Sequence, residues 1–182
     1  MSQLEVIIRA RRTAYDFASE PLEPDMLRSL CDVAVCAPNH RRTAPWRFVV
    51  LGQQSRATLT RLAADQAGGG AEARAKAALK WEKIGAVMAL FSVSTKPDDV
   101  EVVREDYAAC ACAAQNLLLL LWERGLAAQW CTGKVTRLPE LRQLIGCGER
   151  DTFVGLFRIG VPLEVPELPN RPHDPNLVRD LP

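Results

Sequence analysis

Long apolar runs, histidines and excess charge are all scarce in this sequence of 182 residues. The longest apolar stretch, between Asp106 and Glu123, contains Gln115 and Asn116. It falls short of the roughly 20 residues that a membrane span requires. The net charge is +1, so no strong field would attract nucleic acid or an acidic membrane surface. Only two histidines are present, which excludes a His-rich metal site. We therefore expect no nucleic-acid, membrane or metal partner.

Familiar catalytic and nucleotide-binding motifs are also absent. The sequence has no GxGxxG, P-loop, HExxH or GxSxG motif. A Ser-His-Asp triad would have to use His40 or His173, and no serine lies in an elbow motif to support one. None of the six cysteines forms a CxxC pair, which favours reduced thiols and a cytoplasmic location. Charges at Glu5 and Arg9 interrupt any secretory signal and favour the same location.

Length and composition predict one domain over residues 1–182 with a sizeable core, since 48% of the residues are hydrophobic and 25% charged. Residues 163–182 are rich in proline and predict an extended arm that lies on another surface, such as a partner subunit. Periodicity and turn residues predict the regular elements. Helices are expected near residues 3–11, 24–35, 54–66, 71–84, 99–123 and 139–145, and strands near 48–51, 87–93, 127–130 and 153–159.

Arg11, Arg12 and Thr13 place two guanidinium groups beside a hydroxyl at the end of the first predicted helix. Arginine binds phosphate through a planar fork of N–H donors, and a neighbouring hydroxyl adds a further donor. The triplet therefore suits an anionic group. It equally suits a solvated helix end, where cations interact favourably with the helix dipole, and the sequence leaves both interpretations open.

A second segment is a loop bounded by prolines, which runs from Ala37-Pro38 through His40 to Pro45 and Trp46. Its imidazole and indole supply rings and hydrogen bonds of the kind that a flat cofactor needs. The alternatives are a lone histidine on a surface loop and a tryptophan that begins a buried strand.

Two more segments complete the set of candidates. Trp130-Cys131-Thr132-Gly133 follows the third predicted strand, and Gly133 would let the backbone approach a ligand closely. Arg171 in the proline-rich arm offers a further cation, with a solvated arginine as its alternative. Together, the four segments predict a site for a flat cofactor that carries a phosphate.

In order and spacing, these segments resemble the FMN-dependent nitroreductase family, and within it the short, minimal subgroup. The family's opening Arg-(Arg/His)-Ser is similar to Arg11-Arg12-Thr13, which keeps the hydroxyl. Its Ala-Pro and Gln-Pro-Trp loop is similar to residues 37–46, although Ala44 replaces the glutamine. Cys36 and Cys131 stand where the subgroup often has arginine.

The resemblance implies an α+β fold, with a mixed, mainly antiparallel sheet packed between helices and an extended carboxyl-terminal arm. It also implies a homodimer with FMN at its interface, where the loop of one subunit reaches a flavin held mainly by the other. A lysine often lies near the flavin, which leaves Lys80 and Lys83 as candidates. The implied contacts to FMN are Arg11, Arg12, Thr13, His40, Pro45, Trp46, Trp130, Cys131, Thr132, Gly133 and Arg171.

The implied activity is that of an NAD(P)H-dependent flavin oxidoreductase. Hydride would pass from NADH or NADPH to flavin N5 and then to an electron-poor acceptor, such as a nitroaromatic, quinone or enone, by a ping-pong scheme. The flavin carries this chemistry, so no catalytic side chain is assigned. The alternatives are flavin binding without turnover, another flavin reaction such as dehydrogenation or use of FMN as substrate, and a non-enzymatic interaction module.

Overall fold

The computed structural model describes residues 1–170, 174 and 176–180, so the predicted site residue Arg171 lies outside the described residues. The helices and strands lie within a few residues of the predicted positions. In chain order they are α1 (Gln3–Ala10), α2 (Pro24–Ala34), β1 (Trp46–Val50), α3 (Gln53–Ala67), α4 (Ala71–Glu82), β2 (Ala86–Ser92), α5 (Val100–Glu123), β3 (Ala127–Cys131), α6 (Pro139–Leu144) and β4 (Thr152–Gly160). A short 3₁₀ helix, Lys134–Arg137, was not predicted.

The four strands form one sheet in the order β1-β2-β4-β3, and each described pairing is antiparallel. This confirms the predicted α+β class. Strands β1 and β3 are the two edges. Trp46 pairs with Ser92, where β1 begins and β2 ends, whereas Cys131 at the end of β3 pairs with Leu156 in the middle of β4. Three strand spacings, about 14 Å, separate these two edges.

Both faces of the sheet are covered by helices. Leu27 and Leu30 of α2 and Leu117 of α5 join the core on one face. Leu59 of α3 and Trp81 of α4 join the core on the other. Alternation along each strand sends successive side chains to opposite faces, which is why both faces of the sheet are apolar.

Helix α5 is apolar nearly all round between Ala108 and Trp122, yet in the single chain it is buried on one side only. The sheet and α2 cover one side of the helix, where Ala109, Ala113 and Leu117 are buried. Ala108 and Cys112 on another side are exposed. A single layer of neighbours can bury only one stripe of a helix.

Helix α1 and the arm carry apolar side chains that the described chain leaves exposed. No residue of α1 is buried, although Leu4 and Ile8 are apolar. The arm leaves the body where Leu163 N–H donates to the Asp16 carbonyl at 3.1 Å, and beyond that Leu168 is 71% exposed. Apolar surface of this kind is typical of a face that another molecule covers. No helix among the described residues is long and apolar enough to cross a bilayer.

Candidate functional site

The buried guanidinium of Arg158, on β4, joins three segments that are far apart in sequence. Its Nε donates to the carbonyl of Lys80 at 2.8 Å, at the end of α4. Its Nη1 donates to the carbonyl of Tyr15 at 3.1 Å and to Gln129 Oε1, on β3, at 2.8 Å. Burial lowers the pKa of this guanidinium from its usual value. Arg158 therefore brings the end of α4 and strand β3 next to the segment that follows Thr13.

The predicted Arg11-Arg12-Thr13 segment lies at the carboxyl end of α1, immediately before this junction. Arg12 is only 9% exposed, and its Nη1 donates to the carbonyls of Arg9 and Arg11 at 2.8 Å each. Part of this guanidinium thus caps the last carbonyls of the helix. Thr13 is half-buried and lies two residues before Tyr15.

The predicted segment at residues 130–133 divides between the two faces of the sheet. Trp130 turns towards α5, where its Nε1 donates to the Val154 carbonyl at 2.9 Å and its ring packs on Gly155 and Phe157. The indole N–H is therefore engaged within the fold, the ring is half-buried, and the contact of Trp130 to a cofactor stays a prediction. Thr132 and Gly133 are exposed after the strand ends.

Cys131 turns to the opposite face from Trp130, towards Arg158 and Lys80. Burial raises the pKa of its thiol to about 11, while the charges of Arg158 and Lys80 oppose that rise. The thiol is therefore protonated at neutral pH and a poor nucleophile. The backbone carbonyl of Lys80 also accepts a hydrogen bond from Arg158. Of the two candidate lysines, Lys80 is therefore the one at the junction.

The loop at residues 37–45 lies against α5, at the start of edge strand β1. His40 is exposed, whereas Pro45 is buried and its carbonyl accepts the Val93 N–H at 2.8 Å. Trp46 is half-buried on the α2 and α5 face of the sheet. The loop is fixed to α5 by Arg41 Nε, which donates to Glu105 Oε2 at 2.7 Å.

Within one chain, the structure brings together only some of the predicted segments. Arg158 contacts Tyr15, two residues after Thr13, and Gln129, two residues before Cys131, on the β3 side of the sheet. His40 precedes β1, the opposite edge. The predicted residues of one chain therefore form two groups, called half-sites below, at opposite edges of the sheet.

Among the described residues, two of the surface clefts can be compared with the predicted site. The smaller, about 470 Å³, lies between the loop and α5. It is lined by Pro38, Asn39, His40, Glu105, Ala108, Ala109 and Cys112. The larger, about 750 Å³, lies near Leu22, Arg56 and Trp81, where β1 ends and β2 begins, and contains none of the predicted site residues.

Sequence reasoning missed two residues that organise these half-sites. Arg158 is a charge within the apolar strand at residues 152–160, and Asp106 is a carboxylate on the buried side of α5. Each is a charged residue in an otherwise buried stripe, which is the signal that could have found it. The described residues contain no group of three possible metal ligands.

The family model described as "Nitroreductase family" matches residues 8–161, most of the chain. The chain belongs to the nitroreductase family. A Bacillus subtilis protein named "Putative NAD(P)H nitroreductase YfhC" is 32% identical over 179 aligned residues, which cover 93% of this chain and 90% of that protein. An Escherichia coli K12 protein named "Putative NAD(P)H nitroreductase YdjA" is 25% identical over 164 residues, 89% of each.

Solved structures of the nitroreductase family share this fold. A nitroreductase-like family protein of Bacillus cereus is 26% identical, with a TM-score of 0.83 over 100% of this chain and 97% of that one. A "putative nitroreductase in complex with FMN" from Exiguobacterium sibiricum is 15% identical, with a TM-score of 0.77 over 100% of this chain and 98% of that one. The second likeness, at this identity, concerns the fold alone.

Proposed function

We propose that this nitroreductase-family protein is an FMN-dependent oxidoreductase that uses NADH or NADPH to reduce an electron-poor acceptor, such as a nitroaromatic, quinone or enone. The observation that carries the proposal is the junction at Arg158, where Lys80, strand β3 and the segment that follows Thr13 meet. When bound, FMN supplies hydride transfer between donor and acceptor. The protein's part is to bind and orient the flavin and both reactants.

The residues at the junction suit the chemical groups of FMN. Arg11, Arg12 and the Thr13 hydroxyl offer charge-assisted hydrogen bonds to a phosphate. The exposed backbone at Thr132 and Gly133 can approach a flat ring, because a side chain built at Gly133 would meet only open space. This donor set matches a ligand that is anionic at one end and planar at the other.

Lys80 is the cation best placed to act on the reactive part of the cofactor. It lies close enough to Cys131 to influence the thiol's charge state. A cation beside a flavin favours its reduced, more anionic form and so raises its reduction potential. Lys80 thus takes this role in the proposal in preference to Lys83.

The proposal requires two copies of the chain, each completing the other's site. His40 and Pro45 lie at the β1 edge, about 14 Å across the sheet from the β3 edge. A second copy would place its loop over the first copy's flavin. It would also cover Leu4 and Ile8 of α1 and the apolar arm. We propose this homodimer for a single-domain cytoplasmic protein, with Arg171 of the arm as a further phosphate contact.

Titration of the purified protein with FMN, followed by its visible absorbance, is the first test. We expect stoichiometric uptake, and then consumption of NADH or NADPH that depends on an added nitroaromatic or quinone. No uptake would overturn every flavin function. Uptake without consumption of either nicotinamide would leave flavin binding without turnover.

A further inference from the structure

Two residues of the loop at residues 37–45 have backbone conformations that residues other than glycine normally avoid. Arg42 has a φ of 53° and Ala44 a φ of 47°, in the left-handed region that favours glycine. Such conformations persist only where surrounding contacts enforce them, and they concentrate at ligand clamps and active sites. The loop is therefore held in shape by specific contacts.

A chain of three hydrogen bonds enforces that shape. The backbone N–H of Ala44 donates to Asn39 Oδ1 at 2.9 Å. Asn39 Nδ2 donates to Thr43 Oγ1 at 3.1 Å, and the Thr43 hydroxyl donates to Asp106 Oδ1 on α5 at 2.5 Å. Followed from donor to acceptor, these bonds connect the strained backbone at Ala44, through Asn39 and Thr43, to the Asp106 carboxylate.

Asp106 is poorly explained as a stabilising residue alone. It is 1% exposed, and its second oxygen, Oδ2, is buried with no hydrogen-bond partner among the described residues. A buried carboxylate with an unpaired oxygen costs stability. Retaining such a group makes physical sense where its fixed position is needed.

Asp106 positions one wall of the smaller cleft. Asn39 and His40 form the loop side of this cleft, and Ala108 and Cys112 of α5 form the other. Asp106 belongs to the same helix as that second wall. Together with the Arg41–Glu105 ion pair, the carboxylate therefore holds the loop wall against the α5 wall.

We propose that Asp106 is a positioning residue, which acts through Thr43 and Asn39 to hold the loop in the shape that receives a flavin. The inference rests on the proposed function. Asp106 does not touch the cofactor in this scheme. It sets where His40 and the backbone of the loop stand relative to α5.

The test combines Thr43→Val, which removes the hydroxyl relay, with Thr43→Ser, which retains it. In the 182-residue protein without FMN, Thr43→Val should speed amide hydrogen exchange at residues 39–44 at least tenfold, with exchange along α5 unchanged. Its Kd for FMN should rise at least tenfold. Thr43→Ser should stay within twofold of the wild type in both measurements. Arg104→Gln, which breaks an exposed ion pair on α5, is the matched control and should also stay within twofold.

Asp106→Ala provides a second variant and should give the same changes as Thr43→Val, with no further loss when the two are combined. A folded Thr43→Val protein with wild-type exchange in the loop would overturn the inference. Faster exchange with an unchanged Kd for FMN would overturn it as well. If the wild type itself takes up no FMN, the proposed function fails, while the exchange measurement still decides whether Asp106 holds the loop.

Discussion

The guanidinium of Arg158 donates a hydrogen bond to the carbonyl of Tyr15, which fixes strand β4 to the segment that follows Thr13. The same side chain packs against the rings of Phe17 and Trp81, with its Cζ 5.3 Å and 5.9 Å from their centroids. One residue thus orders both the core and the proposed phosphate-binding segment.

Replacing Arg158 with methionine should lower the free energy of unfolding by about 3 kcal/mol, because two backbone carbonyls and an amide oxygen lose their donor. Urea denaturation measures this loss. Arg150→Gln removes an exposed arginine that pairs with Asp98, and we expect it to change stability by less than about 0.5 kcal/mol. Equal effects of the two substitutions would contradict the central role of Arg158.

Replacing Arg11 with alanine should weaken FMN binding by about 1.5–3 kcal/mol, the range for a hydrogen bond to a charged group. Isothermal titration of the flavin-free protein measures the difference. Arg9→Ala removes a guanidinium from the same helix that pairs with Glu5, and its FMN affinity should equal that of the wild type. Unchanged binding in Arg11→Ala would place the phosphate elsewhere.

Gly155→Ala should displace the indole of Trp130, because the added Cβ would lie 2.1 Å from Nε1. Overpacking of this kind costs about 2 kcal/mol of stability. Combining it with Trp130→Ala should cost little more than Trp130→Ala alone, since the obstructing ring is then absent. Gly52→Ala, whose Cβ would meet nothing within 4 Å, should leave the unfolding midpoint nearly unchanged.

Stability should fall as the pH rises from about 9 to about 11. Burial raises the pKa of the Cys31, Cys110 and Cys131 thiols to about 11, from an ordinary value near 9.0. Over that interval the unfolded chain loses protons that the folded chain retains, so each thiol's contribution is full below pH 9 and is lost through pH 11.

Urea denaturation at pH 8, 9.5 and 11 tests this dependence with two alanine variants. Cys131→Ala should reduce the alkaline loss by roughly 1–2 kcal/mol. Cys36 is exposed, and Cys36→Ala should leave the pH dependence as it is. If the free energy of unfolding falls equally steeply with pH in both variants, burial of Cys131 does not contribute to the alkaline loss of stability.

Local signals in the sequence were enough to locate the regular elements. Proline at the start of α2 and α6, and glycine after α5, mark boundaries that depend on neighbouring residues alone. The same holds for the apolar strands at residues 86–92 and 152–160. Family resemblance, and not periodicity, predicted that the sheet is antiparallel, because alternating strands and helices also suit a parallel sheet.

The arrangement of the site depended on contacts distant in sequence. Arg158 meets Tyr15 across 143 positions, and Thr43 meets Asp106 across 63, so no local pattern could reveal either pair. The packing of the Trp130 ring within the fold could not be predicted from the sequence, because it depends on Gly155 in a neighbouring strand. The role of Arg171 stays a prediction.

The strand order has a consequence for a pair of unlike subunits. In the proposed homodimer, with the loop at edge β1 and the proposed phosphate-binding segment beside edge β3, a dimer of one Arg11→Ala chain and one Thr43→Val chain would have both defects in one pocket and neither in the other. Each variant alone should bind FMN weakly. Refolding the two together would give each mixed dimer one pocket without a substitution, which would restore FMN binding there. This intersubunit complementation would not occur if each polypeptide assembled its pocket alone.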